Sequence, residues 1–134
     1  MSMVSTKEIA QLSIGREMDI LVAEQVLGWR IEKDEAELKR LDKYFSRHGA
    51  QRWWRKPGGG WHYDPSPFSS EISAAWQVVE RMNSRGLALF LVQTLEESMV
   101  AFDKPSTTEH HYVTDKSVTK AICKAALLAA TSEV

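Results

Sequence analysis

Cysteine is nearly missing from this sequence: Cys123 stands alone among 134 residues. A single thiol excludes an internal disulfide and fits a reducing compartment. Long apolar runs are missing too. The longest, such as Leu87 to Val92, has six residues, against the roughly 20 that a membrane-spanning helix needs. Met1 to Asp19 lacks the unbroken apolar core of a signal peptide. These absences point to a cytoplasmic protein that does not enter membranes. Net charge is equally scarce, at −1, so composition by itself names no partner. Its distribution is less even. Between Lys43 and Tyr63 acid is absent while five basic residues occur, which leaves 12 basic against 18 acidic residues elsewhere. Such segregation can steer an anionic ligand, although a solvated loop carrying surplus charge is the competing explanation.

The length suits one domain, residues 1–134, with a core that needs no metal or disulfide. Ser5 and Glu8 have capping-box spacing, which predicts a short opening helix. Ile14, Met18, Leu21, Val22 and Val26 recur at helical spacing, with Gly28 placed for a left-handed C-terminal cap. Asp34 to His48 reads as a further helix, capped by Asp34 and Glu37 and striped by Leu38, Leu41 and Phe45. Its acids come early and Lys43, Arg47 and His48 come late, so part of the basic cluster complements the helix dipole. From Gly49 to Pro67 the period vanishes among Pro57, Gly58, Gly59, Gly60, Pro65 and Pro67, and a long loop is expected. Ser69 is placed to cap the next helix, whose expected apolar face is Ile72, Ala75, Trp76, Val79 and Met82. "LALFLV" and "MVAF" read as a hairpin apolar on both faces, as in a sheet covered on both sides, with "HYVT" (111–114) a third strand. The last helix, Ser117 to Thr131, is apolar nearly all round, either because it is deeply buried or because it serves an oligomer interface. This order predicts an α+β fold, a layered α/β/α sandwich around a small antiparallel sheet.

Three segments, "MDILVAEQVLGW" (18–29), "PFSSEISAAWQVVERM" (67–82) and "AICKAALLAA" (121–130), together resemble the phage ABA-sandwich domain family. The matching residues are Leu21, Val22, Ala23, Glu24, Gly28 and Trp29; then Phe68, Ser69, Glu71, Ile72, Ala75 and Trp76; then Ala121, Ile122, Cys123, Ala125, Ala126 and Leu127. They cover roughly a third of the chain. The resemblance implies a small phage accessory protein with helices on both sides of a sheet, and it carries no catalytic residue to transfer. Residues 30–66 look like a helix-plus-loop insertion beyond the family pattern.

The chemistry concentrates in "RWWRKPGGGWHY" (52–63). Tryptophan faces stack on bases, arginine forks grip phosphate, and glycines let backbone N–H groups approach an anion. Arg47, His48, Arg52, Trp53, Trp54, Arg55, Lys56, Trp61, His62 and Tyr63 are therefore the candidate ligand-binding residues. The competing reading sends Trp53 or Trp54 into the core, with the glycines merely turning the chain. "PGGG" is no phosphate-binding P-loop, because no Gly-Lys-Ser/Thr follows. His110 and His111 are adjacent, so in a strand they point to opposite faces and do not share a metal. Glu96 and Glu97 sit where a turn normally carries acid, and no nucleophile motif can be assembled. A non-enzymatic protein without cofactor or metal is expected. Its partner is expected to be a nucleotide-like small molecule, such as a host immune signalling nucleotide sequestered in the infected bacterium, and the protein a homo-oligomer. Docking on a host or phage protein is the alternative. Single-stranded nucleic acid comes third, since the charge is not basic overall.

Overall fold

The first helix, α1, covers Arg16–Leu21 and runs on as a π-helical turn, Val22–Val26. The widened register shows in the Leu27 N–H, which donates to the Val22 carbonyl at 3.0 Å, and in the Trp29 N–H, which donates to Ala23 at 2.8 Å. The second bond is one residue longer than that of a Schellman cap, as a π turn requires. Gly28 makes the reversal with φ of 73°, a left-handed conformation that side-chain-bearing residues resist. The chain is described here by a computed structural model, over residues 15–45, 53–63 and 66–132. The expected helix at Ser5 to Glu8 lies outside the described residues.

Strand β1 (Arg30–Ile31) leads to helix α2 (Glu35–Phe45). Asp34 caps α2 as expected, its Oδ1 accepting the Ala36 N–H at 3.1 Å. The segment expected to be a long loop is different. Trp53–Arg55 (β2) and Trp61–Tyr63 (β3) form a hairpin, and β1 pairs with β2 to complete an antiparallel sheet in the order β1-β2-β3. Pro57 to Gly60 occupy only the turn, with Gly58, Gly59 and Gly60 all at positive φ. The strands on either side are three residues each, too short for a period-2 pattern to be read among tryptophans.

Helix α3 spans Ile72–Ser84, and strands β4 (Ala88–Gln93), β5 (Ser98–Asp103) and β6 (Val113–Asp115) form a second antiparallel sheet, with β5 central. Helix α4 (Val118–Ser132) packs along β5 and β6 and against α3 and the π turn. The face of this sheet bearing Leu89, Val100, Phe102 and Val113 joins both helices in one core. On the opposite face, His110 lies over Phe90 with ring centroids 3.9 Å apart, and its Nδ1 lies 2.8 Å from Asp103 Oδ2. The architecture is α+β, with four helices among the described residues and two small antiparallel sheets in layers.

Two expectations shift in detail. The buried face of α3 is Ala74, Ala75, Val78, Val79 and Met82, while Ile72 and Trp76 are exposed. Counting Trp76 as core placed the stripe one position off. Ser69 does not cap α3 with its side chain; Glu71 flanks the helix and makes no side-chain cap. Ser69 is a buried tie instead. Its N–H donates to Asp19 Oδ1 at 2.8 Å, its Oγ accepts the Gly15 N–H at 3.1 Å, and its carbonyl accepts Thr119 Oγ1 at 2.7 Å. One residue thus joins α1, the entry to α3 and the start of α4, and satisfies polar groups that would be costly if buried unpaired. The last helix is likewise spent inside the monomer: Ala121 to Leu127 are all buried.

Candidate functional site

The small sheet decides which of the aromatic and basic residues can meet a ligand. Arg30 pairs with Arg55, and Arg55 with Trp61. Residues opposite one another in antiparallel strands share a face, so these three form one row across the sheet. The neighbouring row, Ile31–Trp54–His62, faces the other way. Trp54 is 1% exposed and belongs to the main core with Ile31 packed against it.

Trp54 is therefore corrected from a ligand contact to a core residue, and Trp53, which strand alternation puts on the face of Arg55, is corrected to a buried one. Trp53 retains only 4% of its surface, and a ring enclosed on both sides has no face left for a base. Arg47, His48 and Arg52 lie outside the described residues, as does the side chain of Tyr63. Four of the expected residues remain at or near the surface: Arg55, Lys56, Trp61 and His62. The Arg55 guanidinium lies 4.7 Å from the centre of the Trp61 ring. Lys56 Nζ lies 5.9 Å from the Trp29 ring centre, and the Trp29 and His62 rings are 5.1 Å apart. These contacts stack the cations on aromatic faces.

Electrostatics favour an anion here. Arg30 and Arg55 are like charges directly opposite in adjacent strands, an arrangement that costs stability until something negative lies between them. Arg55 is 60% exposed and pairs with the Glu32 carboxylate only at 4.0 Å. That carboxylate is held elsewhere, its Oε1 accepting the backbone N–H groups of Lys33 and Asp34, each at 3.0 Å. Glu37 is held by its hydrogen bond to Arg40, which keeps its carboxyl below the ordinary range, with Arg55 adding to the effect.

Beside this row is an open cleft of about 550 Å³, lined by Glu24, Gln25, Gly28, Trp29, Arg30, Ile31 and Lys33. Arg30 belongs to both the cleft and the row, so the two are continuous. Arg30, Lys33 and Trp29 escaped the sequence reading because they looked like a plain connection. The available signal was the alternation Arg30–Ile31–Glu32, one apolar residue between two charged ones, which is a strand signature only once a partner strand exists.

Other candidates do not converge. Among the described residues no three His, Cys, Asp or Glu side chains group to hold a metal ion. His111 lines a smaller cavity of about 260 Å³ between β5, β6 and α4, whose wall also includes Asp103, the partner of His110. Glu96 and Glu97 form the β4–β5 turn, where Thr94 Oγ1 accepts both of their N–H groups at 3.3 and 3.0 Å. Among the described residues no helix is long and apolar enough to cross a membrane.

Comparison with known proteins bears on the fold. The sequence profile of the Phage ABA sandwich domain matches residues 20–127. A crystal structure of a phage protein from Bacillus cereus ATCC 14579 superposes with a TM-score of 0.57 at 23% identity, covering 87% of this chain and 92% of the other. No curated protein matches the chain.

Proposed function

The chain belongs to the phage ABA-sandwich domain family, and from that premise we propose a phage-encoded, non-enzymatic protein that binds a small anionic, nucleotide-like ligand. The observation that carries this reading is the row Arg30–Arg55–Trp61 across the small sheet. Among the described residues neither guanidinium has a bidentate carboxylate partner, Arg55 meeting Glu32 through one oxygen at 4.0 Å, and such a pair fits a phosphate or pyrophosphate. Trp61 supplies a partly exposed ring at the end of the row, and base stacking on such a ring contributes about 1–3 kcal/mol. The adjoining cleft has the volume of a small-molecule site, about 300–1,000 Å³, and Gln25 and Glu24 on its wall offer groups that could read a base or sugar edge. Sequestration of a host immune signalling nucleotide in the infected cell is the biological role this chemistry would serve.

The test is thermal stabilisation and tryptophan fluorescence against a panel of linear and cyclic nucleotides, with inorganic phosphate as the control. A binding nucleotide should raise the melting temperature, and Arg55→Ala or Trp61→Ala should abolish the rise while leaving the unliganded fold intact. A panel without effect would falsify the reading. Recovery of one host protein by the wild type, lost in both variants, would put protein docking in its place.

A further inference from the structure

Among the described residues strand β4 is an unpaired sheet edge. It lies at the end of its sheet, paired with β5 on one side and with no described strand on the other. Natural proteins blunt such edges with lysine, proline, bulges or a covering element. Here Gly86 to Leu95, "GLALFLVQTL", contains no charged residue and no proline, and β4 pairs with β5 without a bulge from Ala88 to Gln93. The side chains beside the edge are apolar and exposed: Leu91 is 44% and Val92 43% exposed, and Leu95, Ile72 and Trp76 are exposed as well. Helix α3 runs antiparallel to β4 through the turn at Arg85 and Gly86. Rises of about 1.5 Å per helical and about 3.3 Å per strand residue then bring Ile72 and Trp76 level with Leu91 to Leu95. Leu91 lies on the helix-bearing face of the sheet and Val92 on the other, so exposed apolar side chains flank the edge on both sides, as they do where a further strand is to be added.

The backbone specifies the occupant. The Thr94 N–H donates to the Glu97 carbonyl at 2.9 Å across the hairpin turn. Alternation along an antiparallel ladder then directs the N–H and C=O groups of Ala88, Phe90 and Val92 towards β5, and those of Leu89, Leu91 and Gln93 outward. An identical strand meeting this edge antiparallel about a twofold axis through Leu91 places Leu91 opposite Leu91 and Leu89 opposite Gln93. That register forms about six backbone hydrogen bonds and sets Phe90 beside Val92 of the second copy. We infer that the protein forms a homodimer through antiparallel β4–β4 pairing, joining the two three-stranded sheets into one of six strands. This interface is separate from the Arg30–Arg55–Trp61 row and does not depend on a ligand.

Sedimentation at about 100 µM should report twice the 15.2 kDa chain mass. Leu91→Lys places an exposed charge at the twofold and should give a monomer with an unchanged far-ultraviolet circular dichroism spectrum. Leu91→Cys should form an intermolecular disulfide on mild oxidation at least tenfold faster than Glu80→Cys on the exposed side of α3. The second variant keeps the question open to test if the first does not fold. The native thiol does not interfere, since Cys123 is buried. A monomeric wild type overturns the inference, including one whose Leu91 amide resists hydrogen exchange because another segment of the chain covers the edge. A dimer unaffected by Leu91→Lys, or equal cross-linking at the two engineered cysteines, overturns it as well.

Discussion

Trp54 offers the sharpest test of what the buried half of the hairpin does. Its side chain is enclosed at 1% exposure, and its indole Nε1–H is a buried donor without a hydrogen-bond partner among the described residues. Leaving such a donor unsatisfied costs about 1–3 kcal/mol. Trp54→Phe removes that donor and also about 40 Å³ of ring, whose loss costs ~1 kcal/mol at the cavity rate and a further ~1 kcal/mol in apolar transfer. The opposing effects nearly cancel, so the variant should stay within about 1 kcal/mol of the parent. Trp54→Ala removes the packing as well and should cost about 3–5 kcal/mol. At roughly 3–4 °C per kcal/mol for a domain of this size, Phe shifts the melting temperature by no more than about 4 °C and Ala lowers it by about 9–20 °C. Differential scanning calorimetry of the two variants decides the matter. If Trp54→Phe proves as destabilising as Trp54→Ala, the indole N–H makes a bond the protein needs, and the reasoning from an orphaned donor is refuted.

Gly28→Ala keeps ordinary contact distance, since an added Cβ would stand 3.5 Å from the Pro57 ring, but forces alanine to φ of 73°. A loss of about 1–2 kcal/mol in urea unfolding is expected from left-handed strain alone, and no loss would mean that the turn relaxes. Burial raises the Asp115 pKa, but the Ser117 N–H, Lys120 and Lys124 outweigh it, so the carboxyl titrates below its ordinary value of 3.8. With the folded pKa depressed, its contribution is complete above that value and is lost as pH falls below it. Asp115→Asn should flatten the acid side of the stability–pH profile, and an unchanged acid limb would show that the Lys120 and Lys124 contacts at 3.3 and 3.4 Å do not act in solution. Burial, with Asp19 nearby, pushes the Cys123 thiol well above its ordinary range. Native protein should therefore resist maleimide and label only on unfolding; rapid native labelling would contradict the packing of α4.

Much of the larger sheet and its helices could be read directly from residue order. The β4–β5 hairpin, β6, α4, the Asp34 cap and the Gly28 reversal are local statements, and local periodicity or a single turn residue encodes each of them. The family resemblance rested on residues 18–29, 67–82 and 121–130, which supply most of the core. Ser69 marks where local reading stopped. A serine before a helix has the features of a cap, but its partners Asp19 and Thr119 are each 50 residues away, so its role as a tie exists only after folding. The hairpin shows the same limit. Chemistry alone could not tell which of Trp53, Trp54 and Trp61 points outward, since that depends on the pairing of β1 with β2 and β2 with β3, and shifting a strand by one residue reverses its faces.

Sequence by itself determined the helices, the longer strands and the turns, because hydrophobic period and backbone permission are properties of neighbouring residues. Tertiary structure alone decided that two tryptophans of the basic stretch are buried, that Arg30 stands opposite Arg55, and that β4 is an edge. Each of these is a relation between segments distant in the chain, and burial, charge proximity and unpaired backbone groups have no value until those segments meet.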